Sequence, residues 1–182
     1  MKLIKPLIMV IALVYLAGCA SGAQQANMVY QGAKKQYPTE IRGNVEIGEV
    51  SGGKKTNPAW TSQIDNESFS YALKESLKLQ NLYAENGKYR LSVKMVKIQQ
   101  PLLGLDMKVT THIVYTLSHV DTGKLVFNET IVAPYKASMG DAFVGVTRLR
   151  LANEGSAQEN IKLLLEKLSN LDIGANQISL AN

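Results

Sequence analysis

With 182 residues, a formal charge of +5 and 46% hydrophobic residues, the chain is long enough for one domain with a core of its own. Its twenty basic and fifteen acidic residues are scattered without a concentrated basic stripe, which argues against nucleic-acid binding. Cys19 is the single cysteine, so the core must hold without a disulfide.

The first eighteen residues have the three parts of an export signal. Lys2 and Lys5 form the positive end, Leu7 to Leu16 supply an apolar stretch, and Leu16-Ala17-Gly18 precede Cys19. About ten apolar residues span roughly 15 Å as a helix, half of a bilayer core of about 30 Å, too short for a stable transmembrane anchor. The motif L-A-G-C resembles the bacterial lipobox, which implies cleavage before Cys19 and a diacylglyceryl group on its thiol, with a further acyl chain on the new amine. A single chain holds marginally at about 0.8 kcal/mol per buried methylene, whereas two or three anchor stably. Ala20 and Ser21 follow the cysteine where an Asp would mark retention at the inner membrane, so the resemblance implies the periplasmic face of the outer membrane. In a host with one membrane the same signal implies the outer cell surface. Cleavage takes two basic residues with it and lowers the formal charge to +3.

Four segments are expected: residues 1–18 as signal, 19–37 as lipidated cysteine and flexible tether, 38–173 as one α/β domain, and 174–182 as a tail. The polar run after Cys19, S-G-A-Q-Q-A-N, has no apolar period. As a coil, seventeen residues reach roughly 23 Å and would hold the domain clear of the headgroups.

Ile41, Val45 and Ile47 alternate with Asn44, Glu46 and Gly48 over a strand from Ile41 to Val50. A long loop containing Trp60 leads to a helix from about Ser62 to Leu79, whose apolar stripe is Phe69, Ala72, Leu73, Ser76 and Leu77. Tyr89, Leu91, Val93 and Met95 alternate with Arg90, Ser92 and Lys94, and the parity then flips to Val96 and Ile98, which predicts a bulge. A third strand follows from Met107, with Val109, Ile113, Tyr115 and Leu117 on its inner side. Asp121-Thr122-Gly123 makes a hairpin turn into a fourth strand, Lys124 to Ala133, with Leu125, Phe127 and Ile131 inward. After a loop from Pro134 to Gly140, Asp141 is expected to cap a helix whose apolar face runs from Phe143 and Val146 through Ala157, Ile161, Leu164, Leu165 and Leu168. Gly145 and Gly155 leave open whether this is one helix or two. The result is a two-layer α/β sandwich, β-α-β-β-β-α, with a mostly antiparallel sheet and both helices on one face.

Catalytic motifs are weak. Asp121-Thr122-Gly123 spells the aspartic-protease triplet, but such chemistry needs two carboxylates and one copy is present, so a turn is preferred. Gly48 to Lys55 approaches a phosphate-binding loop, yet Lys55 replaces the hydroxyl that would hold Mg²⁺ and Pro58 interrupts the helix that should follow. His112 and His119 lie seven apart on one strand and point to opposite faces. No serine sits in a G-x-S-x-G elbow. These readings predict a non-enzymatic protein without metal or cofactor.

The segment Pro101-Leu102-Leu103-Gly104-Leu105 stands out, because each leucine left in water forgoes about 1.5–3 kcal/mol of burial. The favoured expectation is that the leucines fold back over the core; the alternative is a contact surface for a partner, a lipid or the membrane. Trp60, beside Pro58 and Ala59, is a second such candidate.

L-A-G-C at 16–19, A-L-K-E-S-L at 72–77, Y-R-L-S-V at 89–93 and the D-T-G hairpin make the chain similar in outline to small periplasm-facing outer-membrane lipoproteins. These include the accessory lipoprotein of lipopolysaccharide assembly, lipoprotein activators of penicillin-binding proteins and auxiliary lipoproteins of ABC transporters. The resemblance implies a lipid-anchored binding or assembly factor for an envelope protein partner, meeting it through a sheet edge or the leucine loop. A carrier of a small amphiphile, such as a lipid or glycolipid, is the alternative.

Overall fold

The computed structural model describes residues 20–57 and 61–173. Four strands, β1 Val45–Ser51, β2 Tyr89–Gln99, β3 Met107–His119 and β4 Leu125–Ala137, form one sheet in that spatial order. β1 runs parallel to β2, and the other two pairings are antiparallel. A short α1, Gln25–Met28, precedes the sheet; α2, Asn66–Leu79, links β1 to β2; α3, Gly145–Ser169, follows β4.

α2 starts at Asp65, whose carboxylate accepts the Ser68 N–H at 2.8 Å, so the helix begins a few residues later than expected. It buries the five residues of the predicted stripe, Phe69, Ala72, Leu73, Ser76 and Leu77. Its end is a Schellman turn: Asn81 takes φ 58°, and the Leu82 N–H reaches back to Leu77 O at 2.9 Å.

The sheet is buried on one face. Along β3 the odd positions from Met107 to Leu117 are buried, while Lys108, Thr110, His112, Val114 and Thr116 are not. Leu91, Val93, Ile113 and Leu117 share one core with Leu73 and Leu77 of α2 and Ile161, Leu164 and Leu165 of α3. The expected bulge falls between Met95 and Lys97.

Several expectations are corrected. β1 begins at Val45, and Ile41 is buried in the preceding turn. β4 runs past Ala133 to Ala137, with Pro134 opposite Thr110; an outermost strand tolerates a proline there. An irregularity opposite Leu117 and Ser118 turns Val126 inward beside Phe127, while Leu125 is only half-buried. The question left open by Gly145 and Gly155 is answered by a single helix, Gly145–Ser169. Asp141 does not cap it: its carboxylate accepts from Ser138 N and Oγ at 2.7 and 2.8 Å, and the helix starts at Gly145. Gly155 lies against Tyr135, where an added Cβ would stand 2.4 Å from the ring.

The largest correction concerns residues 19–37, read as a tether. From Ala20 onward they are packed, not free: Ala20, Ala23, Met28, Val29 and Tyr37 are buried. The Gln24 N–H donates to Glu154 at 2.8 Å, the Tyr30 N–H to Ser76 Oγ at 2.9 Å, and the Lys35 N–H to Gln80 Oε1 at 3.0 Å. The segment is a strap across α2 and α3, held by polar side chains of both helices. The tail, 174–182, lies outside the described residues.

Candidate interaction surface

At one end of the sheet two loops carry apolar side chains into solvent. Leu102, Leu103 and Leu105 of the β2–β3 loop are 98%, 89% and 73% exposed, so the leucines do not fold back over the core. Phe143, expected on the buried face of the last helix, is 86% exposed in the loop before α3. Met139 and Val144 are exposed beside it in sequence.

Arg148 joins the backbones of the two loops. Its guanidinium is buried in the first turn of α3 and donates to Ala142 O at 2.8 Å, Phe143 O at 2.6 Å and Gly104 O at 3.3 Å. One cation thus fastens the backbones of both loops, and charge-assisted bonds of this kind are stronger than neutral ones. Lys136 adds a 2.9 Å bridge to Asp106 across the same end, and that carboxylate raises the Lys136 pKa. The two Ser138 donors hold Asp141 below the usual carboxylate range. Sequence reasoning placed Phe143 on a buried helix face and gave Arg148 no role. The available signal was a phenylalanine next to a loop of small residues, with an arginine five residues later.

A cleft of about 520 Å³ opens beside the leucine loop, lined in part by Lys54, Gln63, Lys97, Ile98, Leu102 and Leu149. The strap arrives at its rim: the Ala23 N–H donates to Gln63 O at 3.0 Å, and Gln63 Nε2 donates to Gln100 Oε1 at 3.2 Å. Of the residues expected to matter, Leu102, Leu103 and Leu105 are therefore grouped at this end. Leu16, Ala17, Gly18, Cys19 and Trp60 lie outside the described residues.

Elsewhere the polar groups serve the fold. Ser156 Oγ accepts the Thr111 N–H at 3.0 Å and donates to Ala133 O at 2.7 Å, so a hydroxyl bridges two strands. Asn160 donates to Ile131 O and Thr111 Oγ1, both at 3.0 Å, and accepts from Tyr115 Oη at 2.9 Å. These groups are fully buried and mutually satisfied, and burial raises the Tyr115 pKa. His112 bonds Gln99 at 3.0 Å, and His119 meets the Tyr89 ring edge-on at 5.4 Å, so the two histidines are not brought together. Asp121-Thr122-Gly123 is a turn in which Gly123 has φ 67° and its N–H bonds His119 O at 2.9 Å. Gly52 takes φ 83°, and β2 passes so close that a Cβ there would also clash with Met95 O. Among the described residues no cluster of three metal-ligating side chains occurs, and no helix is long and apolar enough to cross a membrane.

No family model matches the sequence, and no curated protein matches it. Solved structures share the fold. Protein XCC0632 from Xanthomonas campestris, of the family DUF330, superposes with a TM-score of 0.55 over 77% of this chain and 93% of that one, at 10% identity. A predicted lipoprotein from Caulobacter crescentus CB15 gives a TM-score of 0.50 over 72% of this chain and 90% of that one, at 12% identity. At such identities the likeness is one of fold: this α/β sandwich is an architecture that a DUF330 protein and a predicted bacterial lipoprotein also adopt. Neither description names any of the three lipoprotein groups that the sequence resembles.

Proposed function

We propose that the chain is a lipid-anchored, non-enzymatic envelope protein that binds a partner in a membrane or cell-wall complex as an accessory or assembly factor. In this reading lipid on Cys19 holds it at the outer membrane, facing the periplasm, and confinement to a surface raises its effective concentration near the partner. The observation that carries the reading is the face of the four-stranded sheet left uncovered among the described residues. Helices occupy the other side, while Arg90, Lys94, Lys108, His112, Val114 and Thr116 remain accessible in a mixed polar and apolar array. The lipobox and the fold shared with a predicted lipoprotein favour the anchor. The amphiphile-carrier reading has less support, because the space between α3 and the sheet is filled by the Ser156, Asn160 and Tyr115 side chains.

The test is in the native envelope. Metabolic labelling with a clickable palmitate analogue is expected to tag the wild type and not Cys19→Ser. A photocrosslinker at Thr116 is expected to give one discrete adduct with an envelope protein, and the same group at Gln158, on α3, none. Membrane retention of unlabelled Cys19→Ser would defeat the anchor; absence of any adduct from the sheet face would defeat the accessory role.

A further inference from the structure

We propose that the loop pair carrying Leu102, Leu103, Leu105 and Phe143 is a second membrane contact, seated in the interfacial zone of the leaflet that holds the Cys19 lipid. The inference rests on the lipoprotein reading and adds to it a fixed orientation.

The course of the strap supplies the argument. Gln24 bonds Glu154, Val29 O accepts from Gln158 at 3.0 Å, and Lys35 meets Glu166 at 3.5 Å. The contacts advance along α3 in step with the sequence, so the strap runs parallel to the helix. Read backward, it heads toward the N-terminus of α3, where Arg148 ties down both apolar loops. Ala20 is buried and lies one peptide bond from Cys19. Successive Cα atoms are about 3.8 Å apart, which is the distance from the buried Ala20 Cα to that of the residue that would carry the lipid. The end of the molecule that bears the leucines and Phe143 is therefore the end drawn against the headgroups.

The chemistry of that end fits a bilayer. Its apolar side chains are exposed on a fastened backbone; Lys54 and Lys97 line the cleft beside Leu102, and Lys108 and Lys136 pair across β3 and β4 at the same end, Lys136 bridged to Asp106. Apolar side chains flanked by lysines suit the boundary between acyl chains and anionic headgroups, where interfacial segments bury to roughly 5–10 Å. Seated this way, the protein presents the D-T-G hairpin at the opposite end to the periplasm and leaves the uncovered sheet face beside the membrane, open to a partner.

The experiment uses the full chain, expressed in bacteria, purified from membranes in detergent and reconstituted into phosphatidylethanolamine–phosphatidylglycerol vesicles. Leu103→Cys, Phe143→Cys and Asp121→Cys each place an environment-sensitive fluorophore, and doxyl-labelled lipids act as quenchers. Intact mass reports the lipid on Cys19. Quenching at positions 103 and 143 is expected to exceed that at 121 by at least threefold. Equal quenching at all three positions in a chain whose mass carries the lipid would overturn the seating while leaving the anchor intact. A chain without the lipid mass would overturn the anchor, and quenching on added vesicles would still decide the seating: retained, it supports the contact; lost, it refutes it. Shielding of 103 and 143 only after an envelope extract is added would assign the tip to a protein and also overturn the proposal.

Discussion

Glu154 Oε1 accepts the backbone N–H of Gln24 at 2.8 Å, joining residues 130 apart in the sequence. The other carboxylate oxygen takes Asn27 Nδ2 at 2.9 Å, and Arg150 stands 3.8 Å away on the next turn back. Glu154→Ala would leave a part-buried N–H without its acceptor, a loss of about 1–3 kcal/mol. Limited proteolysis should then cut within residues 24–35 much faster than in the wild type, while sites in β3 stay protected. Unchanged cleavage would mean that the buried residues and the Ser76, Gln80 and Gln158 bonds hold the strap without Glu154.

Ser156→Ala removes the hydroxyl that serves both the Thr111 N–H and Ala133 O. Both groups are buried, so unfolding in urea should show a loss of about 1–3 kcal/mol with little change in slope. A loss below about 0.5 kcal/mol would show that the strands re-pair without it.

Gly155→Ala sets two effects against each other. Helix propensity favours alanine by about 1 kcal/mol, but its Cβ would sit 2.4 to 2.6 Å from three Tyr135 ring atoms. The substitution alone should destabilise by roughly 1–3 kcal/mol. In a Tyr135→Ala background it should become stabilising, and thermal melts of the four proteins would measure the coupling.

Asp141 has its pKa lowered by the Ser138 backbone N–H first and the Ser138 hydroxyl second. A depressed folded pKa means that the turn gains stability from the carboxylate above the unfolded aspartate value, and loses it as pH falls through the lowered one. A carboxyl-carbon NMR titration should place the Asp141 midpoint below the ordinary aspartate range. Ser138→Ala should raise that midpoint only part of the way, because the backbone donor remains.

The parts legible in the sequence were those with a local period. α2 shows its whole buried stripe at helical spacing, and the parity flip after Met95 marks the bulge between Met95 and Lys97. The strap was illegible for the opposite reason. Its buried residues are scattered among polar ones, and its bonds go to Ser76, Gln80 and Glu154, far away in sequence. α3 shows the apolar part of its inner face, Ala157, Ile161, Leu164, Leu165 and Leu168, but not Asn153, Ser156 and Asn160, which occupy buried positions that an apolar period would give to leucine. The leucine loop was placed inside by the cost of exposure, and the Arg148 bonds that hold its backbone cannot be read from residue types.

Pro134 sits in the outermost strand, where every other residue type would offer an amide hydrogen. A neighbouring copy trying to extend the sheet from β4 would meet a ring at that register and a gap in the ladder. That one residue works against ribbon growth from the β4 edge, one of the two edges of the sheet.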